Sequence, residues 1–366
     1  LKSLAAKLEE DKSGVGEMGR QAMKMAGIKA NEIDYSTYGG FGDEWVGISY
    51  SQALWECIRV GTFVASRLPT VEVPQGSESI YLPLESTDPV FYKVAEATAI
   101  EATLKVPQAT VTNSPVVTAR VLLTLAKMGA RVIWSGEMEE GSLIPFAGQL
   151  RSQLNKAGSE YLESAIIDGD ITISTANIND CAGGGPAATD WFALFDGFRK
   201  SGLVTTTGNS RSAAGSLDIT DYPETVKLMG GAGINALDMN AVSFIIDPST
   251  YYKTKVLPEV LSKDVFASPT IEGGKLTGLF GYGIDISGSM HKNSAVRKAN
   301  TAGKVDTDVT TNNAYGAILA VRWDQWKLGW RRRMTMETTR IANADCTEIV
   351  AMMRVGLIQR DTEAAA

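Results

Sequence analysis

The sequence predicts an α+β chain: a long patterned excursion, one long helix and a set of closing strands flank a region of mixed, shorter elements. Three observations carry this. Ser79 to Asn113 is longer than an ordinary connection and still alternates apolar positions. Leu143, Phe146, Leu150, Leu154, Tyr161, Leu162, Ala165 and Ile166 recur at helical spacing. Apolar and β-branched runs return after residue 314.

In chain order, Leu1 to Met25 has Leu1, Leu4, Ala5 and Leu8 at helical spacing and is expected to form an N-terminal helix or helix pair. The polar, glycine-rich stretch Tyr35 to Glu44 is expected to be an extended arm. Trp45 to Leu68 suggests a short helix and a buried strand at Val60 to Val64.

The excursion itself carries Pro83, Pro89 and Pro107, with Pro115 just beyond it. Its alternation (Ile80, Leu82, Leu84; Val90, Tyr92, Val94; Leu104, Val106) predicts an extended hairpin and not disorder. A two-stranded arm buries little by itself, so it should lie against another copy of the chain.

Val116 to Met128 and Ala130 to Trp134, joined at Gly129, have the character of sheet strands. The long helix follows, with Ser142 as its N-cap and Pro145 in its first turn, ending near Asp168-Gly169-Asp170. About 25 residues at 1.5 Å each give a rod of about 37 Å. A glycine-rich loop, Cys181 to Pro186, leads to a helix capped by Thr189 or Asp190 and running through Phe198. A second helix starts at Thr220-Asp221 and stops at Gly230-Gly231. Ala241 to Ile246 is a buried strand feeding a helix that begins at Asp247-Pro248-Ser249. Gly278 to Asn313 is expected to form loops and edges, and strands close the chain at Ala317 to Trp326, Trp330 to Glu337 and Glu348 to Ile358.

Composition excludes several functions. Over 366 residues, 42 acidic against 35 basic side chains leave a net charge of −7, unsuited to gripping phosphates through a basic face. Cys57, Cys181 and Cys346 lack paired spacing, so neither a disulfide framework nor a zinc site is expected, and reduced thiols fit a cytoplasmic setting. No run reaches the ~18 apolar residues of a membrane span, and no leader is visible. The chain starts at Leu1 and not Met, which leaves open either processing or an omitted segment.

The inventory of reactive residues is sparse, and no catalytic, cofactor or metal site is expected. Asp285-Ile286-Ser287-Gly288-Ser289 has the DxSxS spacing by which von Willebrand factor A domains offer oxygens to a divalent cation. Its glycine-interrupted approach and short remaining chain favour a polar surface loop. Gly230, Gly231 and Gly233 follow a helix, and Gly183 to Gly185 lacks a P-loop lysine, so neither cradles phosphate. His291, the single histidine, has no visible triad partner. Glu139-Glu140 suits a helix N-terminus. Arg331-Arg332-Arg333 follows Trp323, Trp326 and Trp330, but a strand turns successive side chains to opposite faces. Salt bridges from Arg331 and Arg333 to a neighbouring chain are the expectation.

The order of elements resembles the major capsid protein of tailed bacteriophages, the Hong Kong ninety-seven type of shell subunit. Local likeness is best at Ala126-Lys127-Met128-Gly129-Ala130-Arg131-Val132-Ile133-Trp134-Ser135, at Leu150 to Gly169, and at Ala241 to Tyr252. The resemblance implies an N-terminal arm and entry to the peripheral domain (1–70), an extended loop (71–117), and a peripheral domain with the spine helix (118–170). An axial domain (171–313) and return strands of the peripheral domain (314–366) complete it. It also implies a non-enzymatic virion protein, assembled in the host cytoplasm, that forms hexamers and pentamers around double-stranded DNA without reading its sequence. Portal and scaffold proteins, and in some members a decoration protein, are the implied partners, with no membrane. Glu96, Glu101 and Lys105 become the arm's expected polar contacts with the next subunit. Some members weld such contacts through a lysine–asparagine bond; Lys105 lies in the right loop and Asn343 near the partner region, but Asp345 falls closer to the matching position, so cross-linking is not expected. An adhesion module using Asp285, Ser287 and Ser289, and an encapsulin-like compartment, are the alternatives.

Overall fold

A computed structural model describes residues 61–87, 89–93, 116–141, 146–180, 186–212, 216–230, 233–262, 271–272, 275–292, 305–306 and 315–366. These belong to the second of two compact units, Cys57–Ala366. The expected N-terminal helices, the Tyr35 to Glu44 arm, Ser142, Gly183 to Gly185, Glu96, Glu101 and Lys105 lie outside the described residues.

A four-stranded sheet takes its strands from three distant parts of the chain, in the order Thr70–Glu72, Trp326–Ile341, Cys346–Gln359, Ala126–Ser135. The first pairing is parallel and the other two antiparallel. Trp326–Ile341 and Cys346–Gln359 form one long closing hairpin. In its second strand Ile349, Ala351, Met353, Val355 and Leu357 are buried, as a period of two requires when one face is covered. The cover is the spine helix, Phe146–Asp168. Leu162, Ala165 and Ile166 join Met353, Val355, Leu357, Trp326 and Leu328 in one core. A Cβ at Gly158 would overlap the Met334 methyl, so the helix rests on the sheet at that turn.

A second sheet orders Ile318–Arg322, Val242–Ile246, Tyr282–Ile286, Gly278–Leu279. Val242–Ile246 is buried at every position, as a strand covered on both faces must be. Asp247 then caps the helix Pro248–Lys255, accepting hydrogen bonds from the Ser249 and Thr250 backbones. On one side of this sheet Tyr222 packs edge-on against Phe244, centroids 5.1 Å apart. Its hydroxyl bonds Thr254 Oγ1 at 2.5 Å, and burial pushes its pKa up to about 12. Ala364 to Ala366 are buried beside Ile318–Arg322: Ala320 and Ala366 exchange backbone hydrogen bonds.

Several expectations need correction. The first two strands break at Leu125, giving Val117–Thr124 and Ala126–Ser135, and Gly129 lies inside the second. They do not pair with each other, because each has a better partner elsewhere. Val64 opens a short helix, Val64–Arg67, where a strand was expected. Glu139 and Glu140 belong to a separate short helix, Gly136–Gly141, and the spine helix proper has 23 residues. The helix expected from Asp190 through Phe198 is a 3₁₀ turn, Trp191–Ala193, followed by a new helix at Phe198–Lys200 that loosens into a π turn, Ser201–Thr205. Tyr282–Ile286, expected among loops, is an interior strand. Its glycines misled the pattern, since Gly281 serves the preceding turn at φ +86° and Gly283 sits within the ladder. Ile318–Arg322 pairs with Val242–Ile246 in the second sheet.

Candidate assembly surface

Ser79–Thr87 and Val117–Thr124 pair antiparallel as a two-stranded ribbon that belongs to neither large sheet. The hairpin expected within Ser79 to Asn113 is present in its first strand, while the returning strand starts later than Asn113. The ribbon is rooted by Leu123, fully buried, against two facing glycines of the closing hairpin. A Cβ on Gly329 would run into the Leu123 side chain, and one on Gly356 into the Thr124 backbone carbonyl. Next to this root the ribbon exposes apolar side chains: Tyr81 and Leu122, directly opposed across the strands, are 54% and 41% exposed. Past its first strand Phe91 is 96% exposed. Arg120 lies over the Tyr81 ring, 4.4 Å from its centre, a cation–π contact on the surface. A two-stranded ribbon carrying aromatic rings in water is poorly stabilised alone. Such a surface is suited to being covered.

The arginines expected to face a neighbour sit beside the ribbon root. Arg331 donates from Nη1 to the Ser77 carbonyl at 3.2 Å, within its own subunit. Arg333 is exposed and lies 5.6 Å from the centre of the Trp330 ring. The strand shifts register between Trp330 and Thr335, so the simple alternation assumed for these residues is broken by a bulge.

The DxSxS segment is absorbed into the fold. Asp285 is salt-bridged to Arg67 and accepts from Ser243 Oγ at 2.7 Å. Ser287 is buried and donates to Glu163 Oε1 at 2.7 Å, while Ser164 donates to the Ser289 carbonyl at 3.1 Å. Asp285 and Ser287 therefore engage different protein partners. Among the described residues no cluster of His, Cys, Asp and Glu could hold a metal ion.

His291 has the partner that its sequence context hid. Asp168, fully buried at the end of the spine helix, lies 2.9 Å from His291 Nδ1 and 3.1 Å from Arg199 Nε. Next to it Lys200 donates to Asp170 at 2.5 Å and to Asp196 at 2.8 Å. Burial would lower the pKa of Lys200, but the two carboxylates outweigh it and hold the ammonium above its ordinary value. These residues join the spine helix to the second sheet's loops. Sequence reasoning treated Asp168-Gly169-Asp170 only as a helix stop, and the sole hint was two acids at a helix end that favours cations.

No protein-family model matches the sequence, and no curated protein matches it. Solved structures do. A chain from the capsid of a native GTA particle aligns at TM-score 0.57 and 16% identity, covering 90% of this chain and 97% of that one. The mature capsid of bacteriophage PhiM1 gives TM-score 0.59 at 12% identity over 92% and 97%. The chain has a phage capsid fold. A chain of Microbacterium phage Oxtober96 aligns equally well, at 0.59 and 12% identity over 87% and 91%. The fold is of the Hong Kong ninety-seven type that the resemblance implied. Among the described residues, no helix is long and apolar enough to cross a membrane.

Proposed function

We propose that this chain is the major capsid protein of a tailed phage, a non-enzymatic subunit that self-assembles into the hexamers and pentamers of an icosahedral shell. The exposed ribbon, built on a capsid fold, carries the reading. It has apolar surface to cover and no large sheet of its own to cover it. Closed symmetric assembly lets many modest contacts add, and an arm gives each subunit contact area beyond its own body. In this reading residues 71–117 form the loop over a neighbouring subunit, 171–313 hold the axial domain at the capsomer centre, and the spine helix and return strands form the peripheral domain. Glu96, Glu101, Lys105, Arg331 and Arg333 are the polar contacts proposed between subunits. The shell encloses double-stranded DNA without gripping it, in keeping with a net charge of −7. Portal and scaffold proteins would be its partners, and the virion its destination after assembly in the host cytoplasm.

The test is electron microscopy and sedimentation of the purified chain beside a variant lacking residues 85–105. Shells from the full chain and folded, non-assembling subunits from the deletion are expected. A full chain that never forms closed particles would overturn the proposal.

A further inference from the structure

The face of the peripheral sheet turned away from the spine helix carries three cations side by side. Arg332 stands directly opposite Arg354 across the closing hairpin, and Arg354 directly opposite Lys127 on the adjoining strand. Their face is fixed by the burial pattern, because Met353 and Val355, on either side of Arg354, point into the helix-covered core. Directly opposed side chains have Cβ atoms about 4.5–5.5 Å apart, and like charges so placed repel. Among the described residues no carboxylate forms an ion pair with any of the three. Arg332 Nε is buried without a hydrogen-bond partner. The same face shows what a balanced cation looks like: Arg131 is paired with Glu348 at 2.5 Å. Like charges set directly opposite one another destabilise the sheet, and an anionic partner would relieve them.

The surroundings of the row indicate which anion. Next to it on the same face lie half-buried Met352 and Val350 and the 47%-exposed Ile133. A phosphate backbone would answer the charges and leave these apolar groups in water. An extended segment that mixes carboxylates with apolar side chains would answer both. This chain contains one: the arm has Glu85, Asp88, Glu96 and Glu101 interspersed with Val90, Phe91 and Tyr92. Within the subunit, the described part of the ribbon makes no ion pair with the row, although it is rooted next to it on Gly329 and Gly356. We propose that Lys127, Arg354 and Arg332 form a receptor row for carboxylates on the arm of a second copy. This rests on the shell reading and gives it a specific docking site. The row destabilises the lone subunit and is neutralised on assembly, so charge at these positions acts on subunit stability and on assembly in opposite directions.

The experiment uses the full chain and begins with the parent protein. If the parent forms no shells, the shell reading itself fails. If it does, Arg354→Glu is expected to cut shell yield at least tenfold while the subunit stays folded by circular dichroism. Arg354→Met should weaken assembly and raise the melting temperature of unassembled subunits, which loss of a merely structural arginine would not do. Combining Arg354→Glu in turn with Glu85→Lys, Asp88→Lys, Glu96→Lys and Glu101→Lys should restore shells in at least one pairing. Parental shell yield from Arg354→Glu, or restoration by none of the reversals, would overturn the proposal. So would duplex DNA binding by unassembled subunits that Arg354→Glu abolishes while assembly is unchanged, since the row would then be a nucleic-acid contact.

Discussion

Asp168 and His291 are joined twice: the His291 backbone N–H donates to Asp168 Oδ2 at 3.0 Å, and the ring Nδ1 lies 2.9 Å from the same oxygen. The other oxygen faces Arg199 as a charge at 3.1 Å, without a well-directed hydrogen bond. Asp168 thus ties the end of the spine helix to the loop after the second sheet's interior strand. The Arg199 side chain is 4% exposed and also donates to the His291 carbonyl at 2.8 Å, so removing the carboxylate takes away the anion that faces a buried cation. Asp168→Ala should cost about 3–5 kcal/mol, the range for breaking one side of a buried pair. Urea unfolding of unassembled subunits would measure it, and a loss below about 1 kcal/mol would show that the pair is replaceable by solvent.

A second buried acid governs the start of the described body. Glu163, fully buried, accepts the backbone N–H groups of Phe63 at 2.6 Å and Val64 at 3.1 Å, and the Ser287 hydroxyl at 2.7 Å. It acts as a remote N-cap for Val64–Arg67, whose own N-cap residue, Phe63, offers no side-chain acceptor. Glu163→Ala should destabilise by about 1–3 kcal/mol through the unmet donors. Amide exchange should accelerate at Phe63 and Val64 far more than in the central strand Val242–Ile246. Uniform acceleration would argue against a local cap.

Asp247 makes part of the stability depend on acid. Burial favours its neutral form, but hydrogen bonds from Thr250 and Ser249 outweigh burial and hold the carboxyl below its usual range. A folded pKa below the unfolded one adds stability above the unfolded value, about 3.9, and that stability is lost as pH falls through the lower folded value. Asp247→Asn keeps a capping oxygen but loses the charge that these hydrogen bonds favour, and should cost about 1 kcal/mol at neutral pH. The gap between parent and variant should narrow below about pH 4. A gap that is constant from pH 7 to pH 3 would rule out this role for the charge.

Gly356 tests the ribbon root. Its would-be Cβ meets the Thr124 carbonyl, a backbone atom that cannot swing aside. Gly356→Val should lower stability by about 1–3 kcal/mol, as overpacking does. It should also tilt the ribbon and reduce shell yield beyond what the stability loss explains. Gly141→Val, at an exposed position with open space, is the matched control.

The long periodic elements were legible in the sequence. The spine helix, the strand Val242–Ile246, the Asp247 cap and the closing hairpin each carry a local pattern, read from residues within one or two turns or pleats of each other. What escaped was set by distant partners. Nothing near Leu125 says that Val117–Thr124 pairs backward with the ribbon while Ala126–Ser135 pairs forward with the closing hairpin. Tyr282–Ile286 has glycines that locally signal a turn, and only its place beside Val242–Ile246 makes it a strand. The candidate surface was legible in part: the alternation of Ser79 to Leu84 marked the arm. Its seat on Gly329 and Gly356, and the meeting of Arg332, Arg354 and Lys127, depend on register between segments far apart in the chain.

The four-stranded sheet also sets a clock on the chain. Thr70 pairs with Leu328 and Lys127 with Arg354, so the sheet that roots the arm cannot close until residue 359 has been made. Contacts so remote in sequence form late and slowly. During synthesis the ribbon therefore has no seat, and its exposed rings are as available to a nascent neighbour as to a finished one. The ribbon gains its seat only when the chain is nearly whole, and until then its rings are open to wrong partners.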